Sequence, residues 1–243
     1  MNSNVYFIVG AVAVILIICL LILLRTMKKR KQKQLKSFHS NHSNIPVTEK
    51  QKRLLAFGAI LSYHRMEDIL NIVPKNRLDQ YVNGLKDQWD INSPEDAKTI
   101  LNNLLSLKRS KEFEPVILQP SPELIKIQTE IAKGLDLDLS IVKQTTSAYA
   151  WDICRSVSLA KRCYWCGYLS EIETWGIIET AANTAIQYGK NWTDYTVSFL
   201  LGRTLQGFNP DDLIIECKQI LHSQNPLLRK ITDIDVYKQY PFA

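Results

Sequence analysis

The sequence contains none of the short motifs that mark the commonest catalytic folds. A Walker A loop, a G-x-G-x-x-G turn, an H-E-x-x-H helix and a G-x-S-x-G elbow are all missing. These absences remove the usual sequence evidence for P-loop NTPases, dinucleotide-binding enzymes, zinc proteases and α/β-hydrolases. No internal repeat is visible, and no break suggests two domains. The sequence therefore favours a non-enzymatic protein.

Charge is also missing where it is usually found. The first 24 residues carry no charged side chain, and residues 25–36 carry no acid. Seven of the 30 Lys and Arg residues lie in that second stretch, so the other 23 are balanced by 24 Asp and Glu residues. The net charge of +6 thus comes from one basic run, which argues against a nucleic-acid-binding domain. The basic run consists of Arg25, Lys28, Lys29, Arg30, Lys31, Lys33 and Lys36.

An apolar segment of twenty residues precedes the basic run. Residues 5–24 read VYFIVGAVAVILIICLLILL, and a helix of this length spans about 30 Å, the hydrocarbon thickness of a bilayer. A cleaved signal peptide fits poorly, because residues 1–4 are uncharged and no small-residue cleavage site follows. We expect an uncleaved single-pass anchor in a bacterial inner (cytoplasmic) membrane, with the N-terminus outside. The basic run would keep the C-terminal side in the cytoplasm and contact anionic lipid headgroups.

The rest of the chain predicts one compact all-α domain of about seven helices. We expect residues 1–4 to form a short extracytoplasmic tail, 25–47 a basic and polar tether, 48–222 the helical domain and 223–243 a C-terminal tail. Residues 115–118 are the only strand-like piece, and four residues are too few to build a sheet around.

Local capping signals mark where several helices begin and end. Thr48 with Gln51 and Ser170 with Glu173 are capping boxes, and Ser-Pro pairs at 93–94 and 121–122 are typical helix starts. The longest periodic stretch runs from Leu139 to Cys166 and predicts one helix that stops at Gly167.

Several blocks of sequence, taken in order, are similar to one known family. They are LLAFGAILSYHRMEDIL at 54–70, LKDQWDINSPEDAKTILNNLL at 85–105, AWDICRSVSLAKRCYWCGYLSEIETW at 150–175 and NWTDYTVSFLLGR at 191–203. They resemble the bacterial family catalogued as domain of unknown function 1266. The third is the strongest, since it resembles the family's D-x-x-R followed by Arg and Gly-Tyr-Leu-Ser-Glu. The resemblance implies a fold unit and transfers no catalytic residue; the cysteines and the anchor lie outside the family's pattern.

A polar cluster in these blocks is the main candidate site. Asp152 and Arg155 are three residues apart and share a helix face, so they can pair. With Arg203 they could form a polar cleft in which Asp152 acts as an acid/base or ligand partner and the two arginines bind an anion. Alternatively, with Arg162, they could form a buried network that ties helices together. The network is the favoured interpretation, because a catalytic site usually offers a second acid or a nucleophile. Tyr168, Trp175 and Trp192 complete the candidate set.

No metal or cofactor site is expected. Cys163 and Cys166 form a C-x-x-C pair, but it ends a helix and has no second ligand pair, so buried thiols are the default interpretation. His39 and His42 lie in the tether, and His64 and His222 are isolated in the sequence. In the cytoplasm the five cysteines would be reduced.

The function expected from the sequence is binding of a protein partner, of unknown identity, at the inner face of the membrane. Tethering would raise the effective concentration of such a partner. The alternative is an enzyme or a small-ligand or anion-binding domain that uses Asp152, Arg155 and Arg203. A solvent-open pocket lined by these residues would favour the alternative.

Overall fold

The structure, a computed structural model, describes residues 3–41, 46–227 and 231–243, and all regular secondary structure within these ranges is helical. This confirms the all-α prediction, but the expected count of about seven helices in the domain is too low, since twelve α-helices follow the first one within these ranges. The helices of the described residues are α1 (Ser3–Asn41), α2 (Glu49–Leu55), α3 (Ala59–His64), α4 (Leu78–Trp89), α5 (Pro94–Leu105), α6 (Lys108–Leu118), α7 (Pro122–Leu135), α8 (Leu139–Lys143), α9 (Tyr149–Trp165), α10 (Glu171–Tyr188), α11 (Trp192–Leu205), α12 (Asp211–Leu221) and α13 (Val236–Gln239).

The predicted helix starts are confirmed. They were predictable because a capping signal depends only on residues close together in the sequence. Thr48 and Ser170 each form a complete capping box, and the side chains of Ser93 and Ser121 accept from backbone N–H groups in the first turns of α5 and α7. Gly167 follows the end of α9 with a left-handed φ of 78°, which an L side chain adopts only at a cost.

Two local predictions were wrong. The strand-like residues 115–118 form the last turn of α6, where they continue a helix that packs on α5 and α9. The stretch from Leu139 to Cys166 is not one helix, because it breaks between Lys143 and Tyr149. The break is held by long-range partners: the Thr145 hydroxyl donates to Asp194 at 2.9 Å, and the Ala148 carbonyl lies 2.8 Å from the hydroxyl of Ser110, whose one hydrogen is shared between this carbonyl and Asp152.

Helix α9 is the centre of the domain. Nearly all of its residues are buried, and it packs against α10, α11 and α5. Gly202 of α11 lies directly against Trp151 of α9, so the two helices approach closely at this point. Because α9 is buried on all sides, its charged residues Asp152, Arg155 and Lys161 lie inside the fold. Buried charges of this kind need partners.

The C-terminal residues belong to the packed body, where the sequence predicts a tail. Residues 231–243 bury Val236, Tyr237 and Phe242. The ring of Trp192 stacks on Tyr237 with centroids 4.0 Å apart, and its indole N–H donates to the Tyr240 carbonyl at 2.8 Å. The domain therefore extends beyond the predicted boundary at residue 222, because aromatic residues spread through the last turns cover an apolar face of α11.

The N-terminal helix α1 covers both the apolar segment and the basic run. Near its C-terminal end Phe38 is buried, and its ring meets Tyr164 edge-on with centroids 5.5 Å apart. The predicted tether thus touches the domain before residue 48. Among the residues that the structure describes, no helix is both long enough and apolar enough to cross a membrane. The anchor expected at residues 5–24 is therefore not confirmed, and the tail residues 1 and 2 lie outside the described ranges.

Candidate functional site

Asp152 and Arg155 form an ion pair inside the fold. Asp152 is completely buried, and one of its oxygens accepts from the Arg155 guanidinium. Its other oxygen accepts from the backbone N–H and the hydroxyl of Ser110, each at 2.8 Å. Both residues lie on α9, and the contact of Asp152 with Ser110 joins α9 to α6, as expected for a buried charge that needs hydrogen-bonding partners.

The remaining contacts of Arg155 fix its side chain at the edge of a cleft. Its Nε donates to the Trp151 carbonyl at 3.2 Å, and a terminal nitrogen donates to the Gln206 side-chain oxygen at 3.3 Å. The guanidinium carbon lies 4.3 Å from the ring centre of Trp151 and 5.7 Å from that of Trp89, within the range of cation–π attraction. Burial lowers the pKa of Arg155, and the charge of Asp152 opposes that shift.

The cleft has a volume of about 760 Å³ and is cationic. Four arginines line it together with His64, and none of its described lining residues is acidic. We call it the arginine cleft, and its arginines are Arg65, Arg109, Arg155 and Arg203. Three aromatic side chains, Trp89, Trp151 and Phe208, supply its apolar wall. The C-terminal ends of α3, α4 and α11 meet here, and their carbonyl dipoles favour the nearby cations.

Arg65 is held differently from Arg109 and Arg155. It caps the C-terminal end of α3, is half-buried, and donates to the Ser158 hydroxyl of α9 at 2.6 Å. No carboxylate of the described residues pairs with it, whereas Arg109 pairs with Glu112 and Arg155 with Asp152. Burial and the positive charge of Arg162 lower the pKa of Arg65 to about 10. The charge of Glu67 opposes this shift, so the charge of Arg65 is only partly compensated, and a cleft with such a residue suits an anion.

His64 also lines the cleft, and the fold gives it a partner that the sequence did not reveal. Its Nδ1 lies 2.8 Å from Oε2 of Glu216, which belongs to α12. A carboxylate only accepts hydrogen bonds, so Nδ1 carries the hydrogen in this contact. His64 is isolated in the sequence, and it gains this partner because helices distant in sequence meet at this point.

The other predicted site residues lie away from the cleft. Arg162 pairs with the buried Glu67 at 3.0 Å, and Trp192 packs on the C-terminal residues. Tyr168 and Trp175 are half-buried residues that pack against the core. The structure thus brings Asp152, Arg155 and Arg203 together at or beside the cleft and separates them from the other candidates.

A second buried cluster surrounds Lys161. Its ammonium group donates to the Asp68 carbonyl at 2.7 Å and to the Ser62 hydroxyl at 3.2 Å. Burial lowers the pKa of Lys161 to about 8, while the charges of Glu67 and Asp68 oppose the shift. Lys161 is completely enclosed, so we assign it a structural role.

The sequence predicts that the two cysteines of the C-x-x-C pair are buried thiols. Cys163 is buried and Cys166 half-buried, and burial raises the pKa of both thiols to about 12. Among the described residues, no group of three or more His, Cys, Asp and Glu side chains is arranged to hold a metal ion. His42 lies outside the described residues.

Sequence reasoning missed most of the cleft. Arg65 and Trp89 lie in the first two blocks that carry the family resemblance. Trp89 continues the apolar stripe of α4 and is therefore predicted as a core residue, and no periodicity marks Arg65 as a residue that faces a cleft. A usable signal was the position of Arg65 directly after the apolar stripe of α3, where a charged side chain must lie at the edge of the core.

Comparison with known families supports the resemblance. The model of one family, described as "Protein of unknown function (DUF1266)", matches residues 84–223, which is more than half of the chain. Comparisons with curated proteins and with solved structures give no match.

Proposed function

This chain belongs to the DUF1266 family, and we propose that its helical domain binds a small oxyanionic ligand in the arginine cleft. The observation that carries the proposal is the half-buried guanidinium of Arg65, which faces the cleft and has no carboxylate partner among the described residues. A charge in such a place favours a ligand of opposite sign. Phosphate and carboxylate groups match the planar fork of a guanidinium.

The size and the lining of the cleft support a ligand larger than a bare ion. A volume of about 760 Å³ falls within the range of small-molecule sites. Because Trp89, Trp151 and Phe208 form one wall, the ligand would place an apolar or aromatic part beside its charged group. Arg155 is already oriented by Asp152 and Gln206, so little side-chain freedom would be lost when it binds.

Binding of a protein partner, the function expected first from the sequence, stays a prediction. The alternative that the sequence left open, an anion site at Asp152, Arg155 and Arg203, is the one the cleft supports better. Asp152 acts in it as the residue that holds Arg155, rather than as a group that meets the ligand.

We also propose that residues 5–24 anchor the domain in a bacterial inner membrane, with the domain on the cytoplasmic side. Two features support this. The apolar side chains described between Val12 and Leu24 are 49–64% exposed, so the domain does not cover them. Four basic side chains that follow, Arg25, Lys28, Lys29 and Lys33, are also exposed and available to anionic headgroups. The side chains of Arg30, Lys31 and Lys36 lie outside the described part of the chain.

Membrane fractionation tests the anchor. The full chain is expected to stay in carbonate-washed membranes, and a variant lacking residues 1–24 is expected to leave them. A reporter fused after Ala243 should be active only in the cytoplasm. Release of the full chain by carbonate, or an external reporter, would refute the proposed anchoring.

Isothermal titration of the purified full chain tests the anion site, with phenyl phosphate as the probe and phenol as its uncharged counterpart. We expect phenyl phosphate to bind and phenol not to. Arg65→Gln should weaken binding of phenyl phosphate about tenfold or more, because a hydrogen bond between charged groups is lost. Arg77→Gln removes the same charge from an exposed ion pair with Asp79 and should leave binding unchanged. Equal binding by wild type and Arg65→Gln would exclude the cleft.

A further inference from the structure

His64 occupies a position in the arginine cleft that ion binding alone does not require. It is the last residue of α3, directly before Arg65, and its ring lines the same cleft. Its Nδ1 is engaged by Glu216 at 2.8 Å. In the neutral ring this contact fixes the hydrogen on Nδ1, so Nε2 keeps a free lone pair. An imidazole oriented by a carboxylate, with its second nitrogen able to accept a proton, is the arrangement of a general base.

We propose that the arginine cleft hydrolyses a phosphate monoester, with His64 as the general base and Glu216 as its positioning residue. This inference rests on the proposed anion site, and it adds a chemical step to it. The arginines would hold the phosphoryl oxygens and stabilise the charge that builds up on them in the transition state. With His64 assigned as the base, none of the other described lining residues carries a hydroxyl, thiol or carboxylate, so the attacking nucleophile in this proposal is water.

The reaction balances with water as the only co-reactant. Nε2 of His64 takes a proton from a water molecule while the water oxygen forms a bond to phosphorus. The bond between phosphorus and the ester oxygen breaks, and the electron pair leaves with that oxygen. His64 then releases its proton to solvent, and the leaving oxygen takes one from solvent after it has departed, so the products are phosphate and the hydroxyl compound of the ester, a phenol where the substrate is an aryl phosphate.

The lining also restricts the class of substrate. In an in-line displacement the leaving oxygen departs on the side opposite the attacking water, out of reach of the same histidine. Because no acidic side chain of the described residues lines the cleft, the leaving oxygen must be stable without protonation. Aryl phosphates meet this condition, and their rings suit the wall of Trp89, Trp151 and Phe208.

The contact between His64 and Glu216 also joins α3 to α12, which a purely structural pair would do as well. A neighbouring contact offers a matched control. The Tyr63 hydroxyl donates to the side-chain oxygen of Gln219, linking the same two helices one residue away from His64. Tyr63→Phe removes that link and leaves the His64 ring and the cleft untouched.

The test measures hydrolysis of p-nitrophenyl phosphate and binding of phenyl phosphate on the same preparations of the full chain. His64→Ala should lower kcat about 100-fold while phenyl phosphate still binds, and added imidazole should restore part of the rate. Glu216→Ala should lower kcat at least about tenfold with KM unchanged, because it acts only through the orientation of His64. Tyr63→Phe should behave as wild type.

Each other outcome overturns the proposal. If wild type binds phenyl phosphate but hydrolyses p-nitrophenyl phosphate no faster than His64→Ala, the cleft is a binding site and the catalytic inference is wrong. The same conclusion follows if Tyr63→Phe loses as much activity as Glu216→Ala, because the pair then acts only by joining helices. If phenyl phosphate does not bind at all, the proposed anion site fails, and the hydrolytic role fails with it.

Discussion

One oxygen of Asp152 accepts two hydrogen bonds from Ser110, one from its backbone N–H and one from its hydroxyl, each at 2.8 Å. Both residues are buried. Ser110 lies in the first turn of α6, where backbone N–H groups lack partners within the helix. Asp152 thus caps α6 from α9 and, with its other oxygen, holds Arg155 at the edge of the cleft.

Asp152→Ala should therefore destabilise the fold strongly. It would leave the Arg155 charge and the Ser110 N–H buried without their acceptor, which costs about 3–5 kcal/mol for a broken buried pair. Urea unfolding followed by circular dichroism measures the change. Asp87→Ala, an exposed position on α4, is the control and should hardly move the midpoint. If Asp152→Ala unfolds with the same urea midpoint as wild type, the capping role of Asp152 is contradicted.

Features set by neighbouring residues were predictable from the sequence. The capping boxes at Thr48 and Ser170 and the left-handed Gly167 need only three or four adjacent residues to be recognised. The pairing of Asp152 with Arg155 was predictable for the same reason, since helical geometry places residues three apart on one face.

Features set by distant contacts were not predictable. The break before α9 depends on Thr145 meeting Asp194, and the Glu216 partner of His64 lies 152 residues away. The arginine cleft combines residues from α3, α4, α6, α9 and α11, and no local pattern marks them as neighbours. Helix caps can therefore be predicted from a single sequence, whereas the contacts between helices distant in the sequence cannot.

Gly202→Ala should separate α11 from α9. A Cβ at this position would overlap Trp151 Cβ and lie 2.9 Å from its Cγ and 3.1 Å from Ala148 Cβ. These atoms belong to a buried helix that yields little, so we expect a loss of about 1–3 kcal/mol. Gly176→Ala is the matched control in α10, where a Cβ meets nothing within 4 Å. Gly176→Ala should raise the free energy of unfolding by about 0.5–1 kcal/mol. If thermal unfolding shows the same change in Tm for both variants, this explanation is contradicted.

Lys161 predicts how stability depends on pH. Its pKa is about 8 in the folded protein against an ordinary value of 10.5, so between these pH values the unfolded chain binds more protons. The Lys161 contribution to the free energy of unfolding should then rise with pH, by up to about 1.4 kcal/mol per pH unit. The measurement is the difference between wild type and Lys161→Met in urea unfolding from pH 7 to 10. The difference in the free energy of unfolding between wild type and Lys161→Met should change little near pH 7 and should increase in favour of wild type above pH 8. The exposed control Lys86→Met should show no such increase.

Substitution of Phe242 tests whether residues 231–243 stabilise the domain or form a tail that contributes nothing to its stability. Its side chain is only 6% exposed, and its ring lies 5.0 Å from the centre of Trp192 and 5.4 Å from that of Phe57. Phe242→Ala should cost about 3–5 kcal/mol, because it leaves a cavity among rings that are already fixed by other contacts. Ile172→Ala removes an apolar side chain that is 86% exposed and should be nearly neutral. If chemical denaturation finds the two variants equally stable, residues 231–243 form a tail, as the sequence predicted, and the domain ends near residue 222.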